Sequence, residues 1–311
     1  MINRALLRTK IIQIIYSYYK SEGNSIPNAV KELFHSIEKT YQLYYHLLWL
    51  SVEITHHASL KIDARRNKLR PTQEDLNPNT RFIDNEFIKQ LRINKQLQDL
   101  LNESKMLWEG QDDLVKVLYE AIQEADFYLE YMNAPTTDYV ADKDIWRKIF
   151  KKILLTNEEL NNSIEDQSIY WTDDLEVIIS FVIKTIKRFE KDNGVYQELL
   201  PMFKDEEDEE FAKKLLTTTL TNGEMYRQMI DERTKNWELD RIAFMDIVIM
   251  EAALAEIMTF PTIPISVTLN EYIEISKWFS TDRSALFING VLDNIVKDLK
   301  AEKKIIKVMK M

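Results

Sequence analysis

Apolar residues recur along this chain at helical spacings of three and four, and no segment alternates in twos between turn signals, so helix is predicted throughout. The most apolar stretch comes late. From Leu239 to Met258, every position is apolar except Asp240, Arg241, Asp246, Glu251 and Glu256, and these share no single face. A helix that is apolar nearly all round belongs inside a bundle. Pro261 and Pro264 end it, because the residue before a proline is driven out of the helical region. A second helix is predicted from a Ser266 cap to about Phe279, and a third behind Ser280 or Thr281. In the third, Ile288, Val291, Leu292 and Ile295 make a stripe. Gly290 lies within it, at a cost of roughly 1 kcal/mol relative to alanine, and is expected where another helix comes close.

Residues 1–20 form an amphipathic helix with Leu7, Ile11, Ile14, Ile15 and Tyr18 as its stripe. Arg4, Arg8, Lys10 and Lys20 meet no acid there. Arg4 and Arg8 border the stripe one turn apart, and Gln13 and Tyr16 lie further round. By itself this pattern fits a solvated basic side as well as a phosphate-binding helix that offers an amide and a ring to bases. After a turn at 21–26, residues 28–62 contain no helix breaker and read as one long helix. It carries two Glu-x-x-His steps, Glu32 to His35 and Glu53 to His56. The separation of Glu32 from Glu53 is about 30 Å along one helix. The two steps therefore cannot share a metal, and both histidines read as surface or internally satisfied groups. Lys61 to Arg70 is basic, and Pro71 and Pro78 make the segment after it a loop; the basic stretch is either solvated or a second RNA-contacting patch. Residues 82–133 read as two helices broken near Trp108 to Gly110. Further helices are expected over 142–155, 157–165 and 172–190. The acidic run from Asp205 to Glu210 suits a helix N-terminus, where negative charge meets the helix dipole favourably. Phe211 to Met229 reads as the next helix.

Composition narrows the function. In 311 residues there are five glycines, seven prolines and no cysteine, with 45% hydrophobic content. That supports a packed core and excludes disulfides and cysteine-ligated metals. The glycines never cluster into a phosphate-cradling loop, and no nucleophile elbow or His-Glu-x-x-His motif occurs. No enzyme activity and no cofactor are expected. No signal peptide and no uncharged apolar run of about 20 residues is visible, so a cytoplasmic protein with no membrane association is expected. The net charge of −10 means that any RNA site must be a local basic patch.

The C-terminal motifs carry a resemblance. Asp246 opens an apolar helix. Ile263-Pro264 and Leu269-Asn270-Glu271 follow, and the last helix reads Phe287-Ile-Asn-Gly-Val-Leu-Asp293. In this order they resemble the NusB transcription antitermination family. The first helix, with Gln13-Ile14-Ile15-Tyr16, and the helix carrying Phe211, Leu215 and Leu216 resemble that family too. The resemblance implies an all-α, NusB-like helical bundle, with residues 1–50 plus 205–300 as the RNA- and partner-binding domain. Residues 51–204 would be an inserted set of helices and 301–311 a basic C-terminal tail. It further implies a transcription antitermination factor that pairs with the ribosomal protein NusE. Together they would bind boxA RNA of nascent ribosomal transcripts and join the RNA polymerase antitermination complex. Carried over residue by residue, Arg4, Arg8, Gln13, Tyr16, Arg283, Ser284 and Phe287 would face RNA, and Asp246 would face the partner. Glu251 and Ala255 depart from the family's Arg and Tyr on the partner helix. The other reading is a helical protein-interaction scaffold that has kept the fold and lost RNA binding.

Overall fold

Helix initiation here rests largely on short polar side chains that accept the free N–H groups of a first turn. The computed structural model describes residues 2–21, 25–104, 107–172, 174–234, 242–281, 283–305 and 307. Within them, Asn3 caps α1 (Arg4–Lys20), and α2 (Ile26–Arg66) runs unbroken as its lack of breakers predicts. A Thr72–Asp75 capping box starts α3 (Gln73–Leu76). Asn85 caps α4 (Glu86–Arg92) and Asn94 caps α5 (Lys95–Asn102). Then come α6 (Asp112–Gln123), α7 (Asp126–Asn133) and α8 (Tyr139–Lys152). They are followed by α9 (Glu158–Gln167) and α10 (Leu175–Arg188), with short 3-10 turns between. Last come α11 (Glu206–Thr221), α12 (Gly223–Thr234), α13 (Phe244–Thr259), α14 (Ile265–Phe279) and α15 (Ser284–Ala301). The described residues contain no strand, and the fold is all-α.

Several local expectations need correcting. Residues 82–133 hold α4 to α7 rather than two helices, because Asn85 and Asn94 each turn back to accept a backbone N–H, from Ile88 and Leu97. The helix expected over 211–229 is α11 and α12, divided at Asn222. Ser266 caps nothing, since Pro264 occupies the N-cap of α14. The N-cap of α15 is Arg283. Gly290 is exposed with open space about it, so no helix approaches there. The acidic run does begin α11: Asp205 accepts from the Asp208 N–H at 3.1 Å, and four acids fill the first turn. Residues 237–241, at the head of the apolar stretch, lie outside the described residues, as does Lys310 in the C-terminal tail.

The chain divides into two compact units, residues 38–202 and residues 2–37 with 203–311. The first has an aromatic core: Phe82 lies 5.4 Å from Trp146 and 5.3 Å from Tyr128, ring centre to ring centre. Buried Asp142 ties this unit together, accepting from Tyr131 Oη at 2.7 Å and from the Glu86 N–H at 2.7 Å. The second unit is built round α13, which packs against α1, α11, α12, α14 and α15. Residues 248 to 257 of α13 are buried without exception, as expected of a helix apolar on all sides. No described helix is long and apolar enough to cross a membrane.

Candidate nucleic-acid interface

A central helix that carries carboxylates must neutralise them, because an unpaired buried charge is prohibitively costly. Glu256 of α13 is fully buried. Arg8 grips it with two parallel bonds, Nε to Oε2 at 2.7 Å and Nη2 to Oε1 at 2.8 Å. Thr268 Oγ1 donates to Oε1 at 2.7 Å and Tyr272 Oη to Oε2 at 3.3 Å. Arg8 also reaches Glu271 Oε2 at 3.3 Å. It is 3% exposed, which corrects the expectation that it faces RNA from the border of the stripe: its guanidinium is consumed inside the bundle. Arg4, one turn earlier, pairs with Asp208 at 2.7 Å and lies over the Phe211 ring, 4.9 Å from its centre. It keeps part of its surface in water, with the acidic first turn of α11 beside it.

Glu251 is the second buried carboxylate of α13. Tyr19 Oη donates to it at 2.7 Å and Arg227 Nε donates to its other oxygen. The Arg227 guanidinium stacks 4.1 Å from the Tyr19 ring centre. Burial pushes the Glu251 carboxyl up, against the lowering effect of these two donors. The close approach expected at Gly290 occurs instead at Gly223, where a Cβ would stand 2.5 Å from Tyr19 Oη.

At the N-terminal end of α13 burial is less complete. Asp246 is buried and accepts from Ser280 Oγ at 2.5 Å and Ser284 Oγ at 2.9 Å. That corrects two expectations. Asp246 is an internal tie between α13 and the α14–α15 turn rather than an open partner contact, and Ser284 is its buried partner rather than an RNA contact. Beside this tie, Phe244 meets Tyr16 at 5.6 Å and Tyr19 at 6.1 Å between ring centres. Lys20 Nζ sits 4.3 Å over the Phe244 ring, a cation–π arrangement. Tyr16 is 37% exposed, Gln13 and Phe287 are half-buried, and Arg283 is exposed. The expected residues thus fall into two groups. Tyr16, Arg283 and Phe287 gather at this end, whereas Arg4 lies three turns before Tyr16 on α1, about 18 Å away along the axis. Sequence reading missed Lys20 and Phe244. Lys20 was accessible to it, being one turn beyond Tyr16 on the same face; Phe244 was not, since its contact with α1 is made only by the packing of α13.

Comparison with known proteins agrees with this architecture. The model of the NusB family matches residues 178–297; α1 lies outside that match. A transcription antitermination protein NusB of Salinibacter ruber is 36% identical over 124 residues, covering 38% of this chain and 78% of that protein. The protein of the same name from Bacillus licheniformis is 40% identical over 94 residues, 30% of this chain and 73% of its own length. That from Geotalea daltonii is 42% identical over 89 residues, 29% of this chain and 61% of its own length. No solved structure matches the chain. With most of the Salinibacter relative covered at that identity, and with α11 to α15, which lie almost wholly within the match, packed round one buried helix, the chain belongs to the NusB family.

Proposed function

We propose that this protein is a non-catalytic transcription antitermination factor, which binds boxA-type RNA together with the ribosomal protein NusE and thereby promotes ribosomal RNA transcription within the RNA polymerase antitermination complex. Its RNA-contacting surface is the end of the bundle at the start of α13. Tyr16 and Phe287 offer rings to bases, Gln13 an amide, and Lys20 and Arg283 contact phosphates. Arg4 makes a further phosphate contact from the other end of α1. Ser284 and Asp246 act by holding the α14–α15 turn in place. The observation that carries this reading is the convergence, on a chain of net charge −10, of exposed cations and aromatic rings at one end of α13. Interleaved cations and rings suit a single strand, whose phosphates and π-faces are both on offer. So small a basic patch binds weakly alone, and a partner that lengthens the surface raises affinity through effective concentration.

Gel shifts of a boxA-type RNA with and without NusE test this. A strong shift is expected only with both proteins. Arg283→Ala is expected to reduce the log–log salt slope by roughly 0.7, one phosphate contact's worth. If the RNA fails to shift at any salt concentration with NusE present, the chain is a protein-interaction scaffold instead.

A further inference from the structure

The end of the bundle that holds Arg283 also carries a large apolar side chain to which the resemblance gives no role. Trp278, in the last turn of α14, is 77% exposed, and Leu286, in the first turn of α15, is 82% exposed. Each lies two positions from a serine, Ser280 or Ser284, and the two serine hydroxyls are 3.0 Å apart, bound to the same Asp246 carboxylate. The tie therefore anchors the end of α14, two residues beyond Trp278, at the turn that leads to Arg283. Water is a poor environment for an indole, which can bury about 150–250 Å² when covered. An exposed tryptophan on an ordered helix thus calls for a cover.

The neighbouring chemistry indicates which cover. The exposed positions of α14 are otherwise mainly polar: Ser266, Asn270, Glu274 and Lys277. Lys277 is neutralised by Glu274, whereas Arg283 has no carboxylate partner among the described residues. One exposed ring on a helix whose other exposed positions are mainly polar, followed five positions on by an arginine with no carboxylate partner among the described residues, makes a poor apolar groove. It does match one nucleotide, with its π-face for the indole and its phosphate for the arginine. We infer that Trp278 is a base-stacking platform of the RNA site, taking an unpaired base whose adjoining phosphate Arg283 holds. This rests on the RNA-binding function proposed above and extends that site onto α14.

The test uses the full chain with NusE and a labelled single-stranded boxA-type RNA, with affinity measured across a range of salt. Trp278→Ala is expected to weaken binding roughly 5- to 150-fold with the salt slope unchanged, as loss of one stacked base should. Trp278→Phe should recover most of that loss. Arg283→Ala should instead flatten the slope. Because the indole stands in water, Trp278→Ala should melt like the wild type, and its affinity for NusE without RNA should be unchanged. Wild-type RNA affinity in Trp278→Ala overturns the stacking role while leaving the RNA function standing. Reduced affinity for NusE alone also overturns it, by making the indole a protein contact. Absence of RNA binding by the wild-type pair removes the function and the inference together.

Discussion

Arg8 shows how one side chain can look functional in sequence and prove structural in the fold. It lies one turn from Arg4 in a helix free of acids, yet it fills its bidentate capacity on buried Glu256. Removing one member of such a pair leaves a charge buried and unpaired. Arg8→Ala is therefore expected to cost about 3–5 kcal/mol, read by denaturant unfolding, whereas Arg4→Ala, which takes a partly exposed arginine from Asp208, should cost less. Equal stabilities of the two variants would refute the burial of Arg8. Gly223 supplies a second prediction at this scale. Alanine is the better helix former, though the gain is small at the first residue of α12. Its Cβ, however, would press within 2.5 Å of Tyr19 Oη, which is held by Glu251. Gly223→Ala should therefore lower the melting temperature; a rise would mean that Tyr19 yields freely.

At the scale of elements, the start of α13 is the junction that places the candidate RNA surface. Its first turn carries Asp246, which receives the hydroxyls of Ser280 and Ser284 across the α14–α15 turn. Asp246→Ala would remove the acceptor shared by the buried Ser284 hydroxyl and the half-buried Ser280 hydroxyl, at up to about 1–3 kcal/mol for a buried group that loses its partner. It should also loosen the turn that bears Arg283. Stability and RNA affinity are thus expected to fall together, and calorimetry alongside a salt-resolved binding titration would show it. If RNA affinity fell while the melting temperature stayed constant, Asp246 would be touching a ligand rather than tying helices. The neighbouring division of α11 from α12 follows the same local logic. Asn222 ends the helix, and Gly223 gives room for Tyr19.

At the scale of the whole molecule, acid should act on the unit formed by residues 38–202. His46 is fully buried there, and desolvation together with nearby Lys39 lowers its imidazole to about 4 from an ordinary 6.5. A base whose folded value lies below its unfolded one is protonated first in the unfolded chain. Stability is therefore complete above about 6.5 and declines as pH falls toward 4, by about 3 kcal/mol over the full window. Hydrogen exchange of amides in residues 38–66 of α2 and in α6 at pH 7 and pH 5 would measure this unit apart from the other. His46→Gln should remove much of the pH dependence, and equal protection at both pH values would rule the effect out.

Local pattern alone established that the chain is helical, that α2 is long and unbroken, that the acidic run opens α11, and that the stretch ending at Met258 lies inside a bundle. Periodicity and capping act over a few residues, so they are written in the order of the chain. The C-terminal motifs, read as a family pattern, reached the NusB family as well. The destination of each polar group was decided only by tertiary packing. Whether Arg8, Ser284 and Asp246 face water or one another depends on helices that lie far apart in the sequence. The same holds for Tyr16 and Lys20, which come to share a surface with Phe244 only because α13 packs on α1. A helix face is open or closed according to its neighbours, and neighbours are a property of the fold.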